Sequence, residues 1–79
     1  MPTILNENGF RFFFYSSDRN EPAHIYVEKG DAEGKIWLEP KLKIAYLQGF
    51  TSAETKQIAV ITFKYFEHFK TQWHGYFNQ

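Results

Sequence analysis

The hexapeptide Phe10-Arg11-Phe12-Phe13-Phe14-Tyr15 leaves this chain few folds to choose from. Successive side chains of a strand point to opposite faces, so Phe10, Phe12 and Phe14 share one side and Arg11, Phe13 and Tyr15 the other. Both sides are largely aromatic. Such a strand belongs inside a sheet, not at its margin, with apolar cover on both faces.

The rest of the chain supplies neighbours for it. Thr3 to Leu5 is a short β-prone run, and Asn6-Glu7-Asn8-Gly9 carries the residues that tolerate positive φ in a turn. Ser16 to Ala23 reads as a polar loop closed by Pro22. His24 to Lys29 alternates again, with Ile25 and Val27 on one face and His24, Tyr26 and Glu28 on the other. Gly30-Asp31 begins a hairpin turn that Gly34 ends. Lys35 to Glu39 follows, with Ile36 and Leu38 inward and Lys35, Trp37 and Glu39 outward. Pro40 breaks or edges that strand. Leu42 to Leu47 is a further strand.

Periodicity then changes. Thr51-Ser52-Ala53-Glu54 has capping-box spacing. Beyond it Ile58, Ile61, Tyr65, Phe66, Phe69, Trp73, Tyr76 and Phe77 recur at intervals of three and four, which makes one apolar helical stripe. The expected fold is α+β: an antiparallel sheet of four to five strands over residues 1–50 and one long C-terminal helix over 51–79, together a single domain. The stripe should lie on the Ile25–Val27–Ile36–Leu38 face.

Composition bears on how so short a chain holds together. A domain of 79 residues buries only about 60% of the surface its unfolded chain exposes. It has no cysteine, which removes disulfides and thiolate zinc sites. Nine Phe, five Tyr and two Trp are the substitute, since each large ring buries roughly 150–250 Å². One small core does not easily hide that many rings, so some should face a partner or solvent.

Nine basic and nine acidic residues balance to zero, which argues against a basic nucleic-acid coat. The charge is nevertheless segregated: residues 1–39 carry net −3 and residues 40–79 net +3. Sheet and helix surfaces of ordinary kind would give this. So would a basic face that meets an acidic partner. No basic leader followed by an apolar segment opens the chain, and no stretch approaches the roughly 18 apolar residues of a membrane span. A cytoplasmic protein that does not bind membranes is expected.

Few patterns carry chemistry. His68 and His74 diverge on a helix, and no paired metal-ligand spacing involves His24, so no metal site is read. Gly30-Asp31-Ala32-Glu33-Gly34 lies between strands and is acidic, unlike a phosphate cradle at a helix N-terminus; no cofactor is expected. The outward sheet face is richer. Alternation gathers Arg11, Tyr15, His24, Tyr26 and Trp37 there. That patch could be a minor second core covered by a loop or by a homodimer mate. It could anchor a protein partner, because Tyr, Trp and Arg dominate interface hot spots. It could stack bases, or place His24 beside Asp18 for acid–base work.

The run Arg11-Phe12-Phe13-Phe14-Tyr15-Ser16-Ser17-Asp18-Arg19-Asn20-Glu21-Pro22-Ala23-His24-Ile25-Tyr26-Val27 resembles the signature of domain-of-unknown-function family 4160. Met1 to Leu5, Lys35 to Pro40, Gly49-Phe50 and Trp73 to Phe77 fit it in the same order. The resemblance implies a small bacterial protein similar to the toxin half of a toxin–antitoxin pair. Its partner would be a second small protein, antitoxin-like or a target, of the kind found in domain-of-unknown-function family 2442. Two positions depart from the family pattern. Arg19 stands where a loop His is usual, and His24-Ile25-Tyr26 replaces a His-x-His pair. Tyr26 is a poor general base near neutral pH, its reference pKa being about 10. Three readings follow. The first is a toxin-like component acting through Arg11, Asp18, Arg19, His24, Tyr26 and Trp37. The second is a non-catalytic interaction module or small inhibitor that has lost the His cluster. The third is an RNA binder or RNA-directed enzyme.

Overall fold

Turn chemistry sets the register of the sheet. The computed structural model describes residues 3–77; Met1, Pro2, Asn78 and Gln79, at the ends of the expected domain and helix, lie outside the described residues. Strands β1 (Thr3–Glu7) and β2 (Phe10–Phe13) are joined by Asn8 and Gly9, both at positive φ (54° and 85°). A two-residue hairpin of that kind matches the right-handed twist of its strands. Strands β3 (His24–Lys29) and β4 (Ala32–Trp37) turn through Gly30 and Asp31 alone, with Lys29 opposite Ala32. The turn is thus shorter than the sequence suggested, and Gly34 lies inside β4 opposite Leu47. Strand β5 (Lys43–Gln48) completes an antiparallel meander of order β1-β2-β3-β4-β5.

The aromatic strand ends two residues earlier than alternation implies. The Asp18 carboxylate accepts the Tyr15 backbone N–H at 2.9 Å, which takes that amide out of the ladder and starts a 3-10 turn over Ser16–Asn20. Phe14 still reaches the core, where it is almost fully buried.

Helix α1 (Ser52–Lys64) opens on the expected capping box: the Glu54 N–H donates to Thr51 Oγ1 at 3.0 Å, and the Thr51 N–H donates to Glu54 Oε1 at 2.9 Å. The single long helix expected from the stripe is in fact two. Tyr65 leaves helical geometry at φ −104°, ψ 15°, and α2 (Phe66–Phe77) continues beyond it. The bend has a tether, because the Tyr65 hydroxyl donates to Glu7 Oε1 at 2.9 Å and ties the joint to β1. A straight helix over this span would run about 39 Å, past a sheet whose longest strands have six residues. The bend keeps both halves of the stripe on the sheet. Ile58 and Ile61 from α1, and Phe69 and Trp73 from α2, pack with Phe10, Phe12, Phe14, Ile25, Val27, Ile36 and Leu38. Phe69 stacks on Phe12 at 5.2 Å, and Trp73 meets Phe14 edge-on at 5.1 Å. Both helices cover one face of the sheet and leave the other open.

Candidate functional site

The open face carries a compact aromatic cluster of its own. Phe13 from β2 and Tyr26 from β3 are register partners and stack at 5.6 Å. Tyr15 meets both rings edge-on, at 5.5 Å and 5.1 Å. Next along β3 comes His24, opposite Trp37 and 5.3 Å from its ring. The alternation that named Tyr15, His24, Tyr26 and Trp37 therefore brings them together.

Cations lie over these rings. The Arg11 guanidinium sits 4.3 Å above Phe13 and pairs with Glu28 across the strands, while its Nε donates to Thr3. Lys35 Nζ lies 4.2 Å from the Trp37 ring and 5.8 Å from Tyr26, and donates to Glu21 Oε1 at 2.9 Å. That hydrogen bond holds the Glu21 carboxyl below its ordinary value. A stem lying along aromatic surface with its charge at the rim is the usual posture of a partly buried lysine. Burial, then the charges of Asp18 and Glu21, push the Tyr26 hydroxyl up to about 12. It stays protonated near neutral pH.

His24 lies beneath this layer. Its ring is wholly buried, and Tyr26, Trp37 and Trp73 lie 5.3, 5.3 and 4.7 Å from it. The Pro22 carbonyl, 2.9 Å from Nδ1, can only accept, so Nδ1 carries a proton. The other ring nitrogen, Nε2, faces Asp18 Oδ2 at 3.2 Å. The approach is close but misaligned for a hydrogen bond, and Nε2 has no other partner. Asp18 is nearly as buried, and its Oδ2 also takes the Tyr15 N–H. His24 and Asp18, which the sequence raised as neighbours, do lie side by side. Their contact fastens the loop over Ser16–Asn20 to the start of β3, and no nitrogen of His24 reaches solvent.

Arg19 does not join the patch. Its guanidinium donates to the Phe77 carbonyl at 3.3 Å, and it lines a cleft of about 360 Å³ with Glu39, Trp73 and His74. There His74 Nε2 lies 2.8 Å from Glu39 Oε2. Among the described residues no group of three or more His, Cys, Asp or Glu is placed to hold a metal ion, and no helix is long and apolar enough to cross a membrane.

Three members of the site were not singled out from the sequence. Phe13 and Lys35 had been placed on the outward face, but nothing in the alternation said that they would pack on Tyr26. Tyr46 of β5 also belongs there, opposite Lys35. The irregularity at Ala45 shifts the β5 register, and a strict two-residue period does not reveal that.

Residues 9–74 match the family described as Domain of unknown function (DUF4160). No curated protein and no solved structure gives a significant match. With its signature strand, its buried His24–Asp18 pair and most of its helical cover inside the matched span, the chain belongs to the DUF4160 family.

Proposed function

We propose that this protein is a non-catalytic protein-binding module whose docking surface is the open sheet face. The observation that carries the reading is the contrast between His24 and its surroundings. The one histidine of the patch is sealed under Tyr26 and Trp37, and the hydroxyl of Tyr26 is held protonated. Neither group is suited to proton transfer near neutral pH. What meets solvent is a rim of Tyr15, Tyr46 and Trp37 with Lys35 and Lys43 among them. Rings combined with cations are the composition of interface hot spots.

The resemblance to toxin-like proteins gives this module a setting: one half of a two-protein bacterial system, bound by a small partner through the aromatic rim. Strong expression in a bacterial host, alone and together with the small protein recovered on the tagged chain, tests the setting. Growth arrest relieved by the second protein supports it. Unchanged growth with no stoichiometric protein recovered contradicts it.

A further inference from the structure

Strand β5 is an edge of the sheet, with β4 as its only strand neighbour among the described residues. Edge strands offer a row of unpaired backbone groups to another chain. Apolar side chains accompany this one: Leu42 and Ile44 are exposed, Ile44 at 45%. They border a groove of about 270 Å³ between β5 and α1, lined also by Ile36, Ala59 and Thr62. Phe63, one helical turn from Ala59 and therefore on the same side of α1, is 78% exposed.

The facing pattern of β5 indicates what fits there. Lys43, Tyr46 and Gln48 pair with Trp37, Lys35 and Glu33 and share their open face; Ile44 and Leu47 pair with Ile36 and Gly34 and share the helix face. Ala45 is the irregular residue between. Read backwards, this order repeats: Lys43 exchanges with Gln48, Ile44 with Leu47, and Ala45 with Tyr46. Two copies of β5 running antiparallel in that register keep every helix-facing residue opposite a helix-facing one. A slip of one residue sets Ile44 against an open-face side chain.

Charge agrees with this register. Lys43 of one copy would lie opposite Gln48 of the other, whose own neighbour across the ladder is Glu33. All three point to the open face, and the lysine and glutamate backbones are two strand spacings apart, about 10 Å. Long side chains bridge that gap. The two Lys43 side chains meanwhile stand at opposite ends of the pair and do not repel.

We infer that a second copy of this chain docks on β5, extending the sheet across a two-fold axis at Ala45–Tyr46, with Ile44 and Phe63 covered near the seam. The pairing is made through the backbone edge of β5, so it does not depend on the binding role proposed above.

Sedimentation equilibrium of the full chain tests it, up to about 1 mM, where even a weak association registers. The expected species has twice the 9.4 kDa chain mass. Ile44→Lys should return it to monomer with an unchanged circular dichroism spectrum, since Ile44 is already half in solvent. Lys43→Glu and Glu33→Lys should each weaken association about three- to ten-fold, and the double reversal should restore it. Glu33 and Lys43 are not register partners within one chain, so that rescue reports the contact between copies. A monomer throughout overturns the inference. So does a dimer indifferent to Ile44→Lys, or a β5 edge occupied only when a different protein is added.

Discussion

His24 Nε2 lies 3.2 Å from Asp18 Oδ2, and the imidazole that joins them to the Pro22 carbonyl is closed off from solvent. The pair is a fastening between a 3-10 turn and the central strand. Replacing His24 with Ala would open a cavity and leave the Pro22 carbonyl without the imidazole N–H, while Asp18 keeps the Tyr15 amide. The expected loss is about 3 kcal/mol, read as a shift of the urea midpoint. Asp18→Asn keeps an acceptor for the Tyr15 amide and should cost less, about 1 kcal/mol.

Thr62 is buried on α1, and its hydroxyl has no hydrogen-bond partner. Valine has nearly the same shape and almost the same helix propensity. Thr62→Val should therefore stabilise the fold by about 1 kcal/mol, read as a higher unfolding midpoint by the same titration. A loss of similar size would show that the hydroxyl is satisfied in solution.

Gly34 faces β5 with no room for a side chain. A methyl group there would collide with Leu47 Cδ2 and sit 2.8 Å from the Tyr46 carbonyl oxygen. The leucine can rotate away, but the carbonyl belongs to the strand. Gly34→Ala should cost about 2 kcal/mol. Its signature is local: faster amide exchange in β5, with exchange in β2 and β3 little changed beyond the global loss.

Glu54 links stability to pH. The Thr51 N–H, aided by Lys29 at 3.1 Å, holds its carboxyl below the ordinary 4.5. The folded state therefore binds this proton less readily than the unfolded chain. The stabilisation is fully present above the ordinary value and fades as pH falls through the lower, folded one. Glu54→Gln should lower the melting temperature at pH 7 and bring mutant and parent together near pH 3, values spanning that window. A constant offset across the range would contradict the assignment.

Much of this architecture is legible in the residues. Asn6-Glu7-Asn8-Gly9 marks the first turn, which the structure narrows to Asn8 and Gly9; Thr51 and Glu54 specify a helix start, and the alternation through Ile25, Val27 and Ile36 specifies which face the helices cover. Those signals are local, so neighbouring residues suffice to read them. Where tertiary contacts decide, the sequence is silent. The break at Tyr65 is set by a hydroxyl reaching Glu7, 58 residues away. The early end of β2 is set by the Asp18 side chain. Nothing in the residues beside Gly34 marks it, and the approach of the Tyr46 carbonyl from β5 explains a glycine there. The site divides in the same way. Alternation collects Tyr15, His24, Tyr26 and Trp37, but it gives direction and not depth. It could not say that His24 lies beneath the others, nor that Arg19 turns away to Phe77.

The central claim is that the aromatic rim of the open face binds another protein. Calorimetric titration of the small partner into the parent, Trp37→Ala and Phe63→Ala proteins tests it most directly. Trp37 lies in the rim, and Phe63 lies on the helix layer. The account predicts that Trp37→Ala weakens binding by about thirty-fold or more, as truncating a hot-spot ring does, while Phe63→Ala stays within about two-fold. Binding that survives Trp37→Ala and is lost in Phe63→Ala would place the interface on the helices and contradict it.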